Sequence, residues 1–167
     1  LIKNVIKDVN EKEGELKNQM IMVDLQKKLK HKVPEFIVPT RRLLRLYNEQ
    51  NVSIVLENNK VEPCQFYIFS DLIVCIYVKK TALKKKEKVL AQYIVEHQIT
   101  EKGRVDAVKV TPTGTSKQKA NLKIETTYGS SAMLAKDTRP TSECIHLSCP
   151  SIECRDDILQ QLQKRTN

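Results

Sequence analysis

Two apolar runs with a polar pair between them stand out in the middle of the chain. Residues 65–69 and 72–77 flank Ser70 and Asp71, and both runs are rich in the aromatic and β-branched residues that favour strands. Aspartate tolerates a left-handed backbone and hydrogen-bonds within turns, so the pair predicts the reversal of a β-hairpin. Because the runs are apolar at nearly every position, we expect both faces of these strands to be covered.

A different periodicity occupies the first thirty residues. Apolar side chains recur there at spacings of three and four, which is typical of an amphipathic helix. They are Ile2, Val5, Ile6, Val9, Leu16, Met20 and Val23. The pattern predicts one helix over residues 1–30, ended by Pro34. Since the rest of the chain is typical of strands, we expect this helix to be the last piece of a preceding helical domain.

Short strand patterns dominate the chain after Pro34. Eight segments have strand character: 43–47, 52–56, 64–69, 72–78, 89–97, 107–111, 121–126 and 143–148. The polar stretches 111–120 and 128–142 predict exposed loops. After Ser151, a good N-cap, apolar residues at Ile158, Leu159 and Leu162 predict a final helix. An antiparallel barrel of about seven strands, capped at one end by this helix, accommodates the whole order.

Composition narrows the class of protein. The chain is 40% hydrophobic and 29% charged, an ordinary globular balance, and no apolar run is long enough to span a bilayer. Five scattered cysteines favour a reducing compartment over a disulfide framework. The chain begins without methionine and without a leader pattern. We therefore expect a fragment of a longer cytoplasmic protein.

The net charge of +9 favours anionic partners, and one stretch concentrates it. Residues 79–88 contain six lysines and one glutamate, and are predicted to form a loop. The lysines are Lys79, Lys80, Lys84, Lys85, Lys86 and Lys88. Because strand direction reverses at each turn, Lys60 in the turn after Leu56 is expected at the same end of the barrel, opposite Ser70 and Asp71.

Four short motifs, in this order, resemble those of one known family. They are Val9-Asn10-Glu11-Lys12, Pro39-Thr40-Arg41-Arg42-Leu43-Leu44-Arg45, Phe66-Tyr67-Ile68-Phe69-Ser70-Asp71-Leu72-Ile73-Val74 and Arg155-Asp156-Asp157-Ile158-Leu159. Together they resemble the C-terminal part of the Dbl-family Rho guanine-nucleotide exchange factors. Residues 1–33 resemble the last helix of the Dbl-homology domain, and residues 34–167 resemble the pleckstrin-homology domain. The family's terminal helix usually carries a tryptophan, whereas this chain has none and places Ile158 there.

The resemblance implies both a fold and a role. The fold is mainly β: a seven-stranded antiparallel pleckstrin-homology-like barrel with a C-terminal helix, preceded by one long helix. The role is that of a non-catalytic regulatory and membrane-targeting module, whose parent protein acts on a Rho-family GTPase. The family's exchange surface lies on the preceding helical domain, so this chain is not expected to be an enzyme or to need a cofactor. Its expected location is the cytoplasm, peripheral at the inner face of the plasma membrane.

The same resemblance implies a lipid site at the lysine-rich end of the barrel, where the family binds phosphoinositide head groups. Specific binders place a lysine in the first strand, whereas residues 52–56 contain none and Glu57 and Glu62 would oppose a phosphate. We therefore expect a weak, diffuse contact of Lys60 and the six lysines of residues 79–88 with anionic lipid, worth about 1 kcal/mol per lysine. A solvated charged loop without any ligand is the alternative.

Charged residues outside the lysine-rich stretch are further candidates for partner contacts. Arg41, Arg42 and Arg45 are candidates for contact with carboxylates of the helical domain, its GTPase or phosphates, although structural pairing is favoured over such contacts. A scaffold that binds a peptide or cytoskeletal partner without lipid is a second function class. Nucleic acid is not favoured, because no aromatic residue lies among the lysines to stack on bases. Nothing in the sequence indicates an oligomeric state.

The sequence shows no constellation typical of a catalytic or metal site. Cys144, Cys149, Cys154 and His146 have spacings that do not match zinc ligand pairs, so the cysteines are interpreted as small buried hydrophobic residues. His31 and His97 have no nucleophile or carboxylate near them in the sequence, and no phosphate-binding loop occurs.

Overall fold

The computed structural model describes residues 16–30, 32–33, 35–80, 82–113, 120–129 and 141–166. Helix α1 covers residues 16–28. The strands that follow are β1 Leu43–Tyr47, β2 Ser53–Val55, β3 Val61–Phe69, β4 Leu72–Lys80, β5 Lys85–Tyr93, β6 Ile99–Thr100, β7 Gly103–Thr113, β8 Ala120–Gly129 and β9 Thr141–Cys149, and helix α2 is Ile152–Thr166. The first half of the predicted N-terminal helix, Pro34, and most of the two predicted loops lie outside the described residues. No helix among the described residues is long and apolar enough to cross a membrane.

All strand pairs are antiparallel and belong to one curled sheet in the order β5-β4-β3-β2-β9-β8-β7-β6, with β1 also paired to β3. The long strand β3 pairs with β2 through its first part, where Pro63 lies opposite Ser53. Its second part pairs with β1 and β4. The fold predicted from sequence, a mainly β, pleckstrin-homology-like antiparallel barrel between an N-terminal and a C-terminal helix, is confirmed.

The strand count differs from the expected seven, because nine strands lie in the described part of the chain. A turn separates β1 from β2, where the backbone amides of Asn51 and Val52 donate to Asn48 O. The Asn48 side chain also accepts from the amide of Gln50 at 3.1 Å. The two-residue strand β6, which pairs with β7, has no counterpart among the predicted segments.

Strands β3 and β4, joined at Ser70 and Asp71, form the central hairpin. Its alternate residues point into two different cores. Phe66, Ile68 and Cys75 point into a core that α2 covers with Ile158 and Leu162. Both α2 side chains are fully buried, so an aliphatic residue fills the position expected for a tryptophan. Ser151 caps this helix by accepting from the amide of Cys154 at 3.1 Å.

The opposite face of the hairpin is covered by α1 and the segment after it. Leu25 of the helix packs against a row that includes Tyr67, together with Leu29, Val33 and Phe36 of the segment after the helix. Phe36 meets Phe69 edge-on, with ring centroids 5.2 Å apart. The expectation that both faces are covered is therefore confirmed, and α1 supplies the cover on the outer side.

Candidate functional site

The lysine-rich stretch is a β-hairpin, and its prediction as a loop is wrong. Strand β4 continues to Lys80 and β5 begins at Lys85, so the connection is only residues 81–84. The β4 to β5 ladder is unbroken from Leu72 opposite Tyr93 to Lys80 opposite Lys85. Pairing that starts in the core therefore extends through lysines, which have a low strand propensity of their own. We call residues 79–88 the lysine hairpin.

The charge of the lysine hairpin is largely presented to solvent. The side chains of Lys79, Lys85 and Lys86 are exposed, Lys88 is half-buried, and Lys80 is placed by its backbone register alone. Glu87, the hairpin's one acid, lies 3.2 Å from the ammonium of Lys28 on α1. The negative charge of Glu87 is thereby paired with Lys28.

The ion pair also changes the titration of Lys28. Burial lowers the pKa of this lysine, but hydrogen bonds and charge from Glu87 and Asp24 outweigh it, so the pKa is raised overall. Asp24 lies 3.3 Å from the same ammonium, one turn earlier on α1. Lys28 therefore stays charged at neutral pH and links α1 to the hairpin.

Lys60 and Lys79 line one open cavity of about 610 Å³ at this end of the barrel. Glu57 and Glu62 line the same cavity, and the Lys60 ammonium lies 3.4 Å from Glu62. The structure thus brings Lys60 and Lys79 to one cavity, together with two carboxylates, of which Glu62 is paired with Lys60. The two carboxylates disfavour a phosphate in the cavity, because like charges repel. Lys85 and Lys86 of the hairpin do not line the cavity and are exposed.

Arg41 is paired inside the domain, as the structural alternative for the three arginines predicts. Its guanidinium forms a two-pronged ion pair with Asp71, with both N to O distances at 2.9 Å, and its side chain is only 5% exposed. It also donates to the carbonyl of Phe36 at 2.7 Å. Burial lowers the pKa of Arg41, but the hydrogen bonds and charge of Asp71 more than offset this and raise it.

Arg42 and Arg45 are both exposed. Arg42 lines a shallow groove with Met22 and Val23 of α1. The main-chain amide of Arg42 is held by the hydroxyl of Ser70 at 3.1 Å. Contact of these two arginines with a partner stays a prediction.

A second cleft, of about 480 Å³, lies between β5 and β9 and was not predicted. The Lys102 ammonium donates to Ala91 O at 2.9 Å and to both carboxylate oxygens of Glu143, at 2.9 and 3.1 Å. Lys32 donates to Val89 O. Burial and the charges of Lys102 and Lys88 lower the pKa of Lys32. These lysines occupy carbonyls of the sheet-edge strand β5, so we interpret the cleft as structural.

The sequence carried no signal for this arrangement. Lys32 precedes all the strands, and Lys102 lies in the β6 to β7 turn, far from β9 in the chain. Only the curl of the sheet brings the two ammonium groups to one edge.

The cysteines do not form a site. No group of three or more His, Cys, Asp or Glu side chains able to hold a metal occurs among the residues that the structure describes. Cys149 is buried as expected, Cys154 is half-buried, and Cys144 is exposed, which corrects the expectation of burial for Cys144. Burial raises the pKa of Cys149 to about 12, so its thiol is a poor nucleophile at neutral pH.

No protein-family model matches this chain, and no curated protein matches it. Among solved structures, the chain is similar to the DH/PH domains of PDZ-RhoGEF in complex with RhoA activated by GTP-γ-S, at 15% identity and a TM-score of 0.54, over 98% of this chain and 43% of that one. A second similar structure is the ternary complex between human RhoA, its inhibitor and the DH/PH domain of human ARHGEF11, at 14% identity and a TM-score of 0.49, again over 98% and 43%. The chain thus spans less than half the length of the chains it resembles, and the likeness at these identities concerns the fold.

Proposed function

We propose that this chain is the pleckstrin-homology domain of a Rho-family guanine-nucleotide exchange factor, joined to the last helix of its Dbl-homology domain. The observation that carries the proposal is that the likeness to the DH/PH structure extends over 98% of the chain, so it includes α1 as well as the barrel. Leu25 and Leu29 fix that helix on the barrel, which makes helix and barrel one packed unit. The proposed location is the cytoplasmic face of the plasma membrane.

The exposed face of α1 supports the proposal that a helical domain precedes this chain. Leu16, Met20 and Val23 recur at helical spacing and are 59%, 73% and 46% exposed, whereas Leu25 and Leu29 are buried on the barrel. An apolar stripe of this kind normally packs against another element. The remainder of a Dbl-homology domain, which the matched DH/PH chain contains outside the region of likeness, is the proposed partner of the stripe.

The proposed role is regulatory, and the exchange surface is assigned to the rest of the parent protein. Release of a fluorescent guanine nucleotide from a Rho-family GTPase should therefore occur at the same rate with this chain as without it, while a magnesium chelator serves as the positive control. Rapid release caused by the chain alone would overturn this part of the proposal.

The lysine hairpin is the proposed contact with anionic lipid. Its exposed lysines and the pairing of Glu87 with Lys28 support a diffuse electrostatic contact. The carboxylates beside Lys60 and Lys79 argue against a specific inositol phosphate pocket. Each lysine near an anionic surface contributes about 1 kcal/mol, and salt screens the attraction over a Debye length of about 10 Å at 0.1 M.

Co-sedimentation with vesicles tests the lipid contact. Binding should increase when phosphatidylserine or a phosphoinositide is added to phosphatidylcholine vesicles. Lys85→Gln combined with Lys86→Gln should weaken that binding about thirtyfold, from roughly 2 kcal/mol lost. Lys109→Gln combined with Lys164→Gln removes the same two charges from exposed positions outside the hairpin and should have a smaller effect.

Two outcomes would count against the lipid contact. No gain in binding on adding anionic lipid would sink it. Binding of a peptide or filament without any dependence on lipid would favour the scaffold alternative. That alternative lacks support at the sheet edge, because Lys32 and Lys102 occupy the β5 carbonyls of Val89 and Ala91.

A further inference from the structure

Leu83 is the most exposed large hydrophobic residue in the described part of the chain, at 93%. It lies in the connection between β4 and β5, at the tip of the lysine hairpin. Singly exposed apolar residues are common on protein surfaces and carry no meaning by themselves. Leu83 differs from the other exposed apolar residues, because it lies at the tip of the lysine hairpin.

The ribbon below Leu83 is regular. Pairing continues from Tyr77 opposite Lys88 to Lys80 opposite Lys85. These four residue pairs extend about 10 to 13 Å, at a strand rise of about 3.3 Å per residue. Ile76, just before them, is almost fully buried at 4% exposure, whereas Lys79, Lys85 and Lys86 are exposed. The order from core to tip is therefore barrel, exposed lysines, leucine.

This order matches the layers of an anionic membrane surface. Lysine ammonium groups are stable at the level of the lipid phosphates, with their methylene stems along the apolar boundary. A leucine beyond them reaches the acyl boundary, where its transfer out of water is favourable. An acidic protein surface would satisfy the lysines but would leave an apolar tip against polar groups.

We propose that Leu83 inserts into the acyl boundary of an anionic bilayer while Lys79, Lys85 and Lys86 engage the head groups. The inference rests on the proposed lipid contact of the lysine hairpin and adds an apolar, salt-insensitive component to it. Partial burial of one leucine contributes about tenfold in affinity. The component due to the lysines weakens with salt, whereas the component due to Leu83 does not.

A tryptophan at the tip provides the test, because the chain has no tryptophan of its own. Leu83→Trp should show blue-shifted emission with vesicles containing phosphatidylserine, and quenching by lipids brominated on their acyl chains. Phosphatidylcholine vesicles should cause neither change. Ile99→Trp is the matched control, since Ile99 is 84% exposed and lines a cavity with Asp71, at the other end of β4 from the hairpin tip.

The binding of Leu83→Ser separates this inference from the function on which it rests. The substitution should weaken binding to phosphatidylserine vesicles about tenfold at every salt concentration, because the lost component is apolar. Unchanged binding of this variant, together with an unshifted and unquenched tryptophan at position 83, would overturn insertion and leave the electrostatic contact standing. Failure of the unsubstituted chain to bind anionic vesicles would overturn both. Equal binding to an acidic polypeptide and to vesicles, without quenching by brominated lipid, would identify an acidic protein partner and also reject insertion.

Discussion

Arg41 holds three parts of the chain together with one guanidinium group. It pairs with Asp71 in the central hairpin turn and donates to the carbonyls of Glu35 and Phe36 in the segment after α1. Removing one partner of a buried ion pair leaves the other charge without compensation, which is strongly destabilising. The sequence could not single out Arg41 from its neighbours, because its partner lies thirty residues further along the chain.

We predict that Arg41→Leu lowers the free energy of unfolding by about 3 kcal/mol, since Asp71 loses its main counter-charge. Urea denaturation measures the change. Arg42→Leu is the matched control: Arg42 is adjacent and exposed, and a surface substitution there should change the stability by less than about 0.5 kcal/mol. Equal effects of the two substitutions would contradict the structural role of Arg41.

The lowered pKa of His146 predicts that the stability of the folded protein depends on pH. Burial and the nearby charge of Lys123 lower its pKa in the folded protein below the usual value of 6.5. Between the two pKa values the unfolded chain binds more protons, so stability rises with pH in that range. The contribution of neutral His146 to the stability is complete above about pH 6.5. It is lost as the pH falls through the pKa that His146 has in the folded protein.

The measurement is the melting temperature at about pH 7.5 and about pH 5. The decrease on acidification should be smaller for His146→Gln than for the unsubstituted chain, because the glutamine does not titrate. Glutamine can still hydrogen-bond to the hydroxyl of Thr113, which lies 3.2 Å from His146 Nε2. An identical decrease in both proteins would exclude His146 as a source of the pH dependence.

At the scale of single elements, the packing of α1 contributes to the stability of the barrel. Leu29, directly after α1, is fully buried against the outer face of the central hairpin, whereas Met20 on α1 is 73% exposed. We predict that Leu29→Ala lowers the free energy of unfolding by about 2 to 5 kcal/mol, through lost burial and the cavity left behind. Met20→Ala should cost less than about 0.5 kcal/mol. Denaturant melts followed by circular dichroism compare the two, and a negligible effect of Leu29→Ala would mean that α1 does not dock on the barrel in solution.

The elements that could be predicted from the sequence are those whose own residues determine them. The central hairpin and its two covered faces follow from apolar runs around Ser70 and Asp71, and α2 follows from its N-cap and apolar spacing. The lysine hairpin could not be predicted, because its pairing is propagated from the β4 to β5 ladder. The strand pattern predicts that this strand extends to His97, whereas β5 ends at Tyr93. His97 has a positive φ of 71° and belongs to the turn before β6.

At the scale of the whole molecule, α1 and the lysine hairpin form one oriented unit. Leu25 and Leu29 bury one side of α1 on the barrel, and Lys28 between them reaches Glu87 of the hairpin. A domain that packs on the exposed face of α1 would therefore have a fixed position relative to the hairpin. Under the proposed function, this geometry orients the exchange domain relative to the membrane that carries its GTPase.

The exposed stripe of α1 gives a prediction for the longer protein. Met20 is 73% exposed, whereas Met22 is partly buried against the barrel, so mild peroxide should oxidise Met20 faster in this chain. When the chain is extended upstream through the proposed helical domain, helix packing on Leu16, Met20 and Val23 should slow the oxidation of Met20 to the rate of Met22 or below it. Peptide mass spectrometry measures both methionines in the same sample, so Met22 serves as the internal control. A Met20 rate that stays the same in the extended protein would mean that the stripe is not a packing surface for that domain.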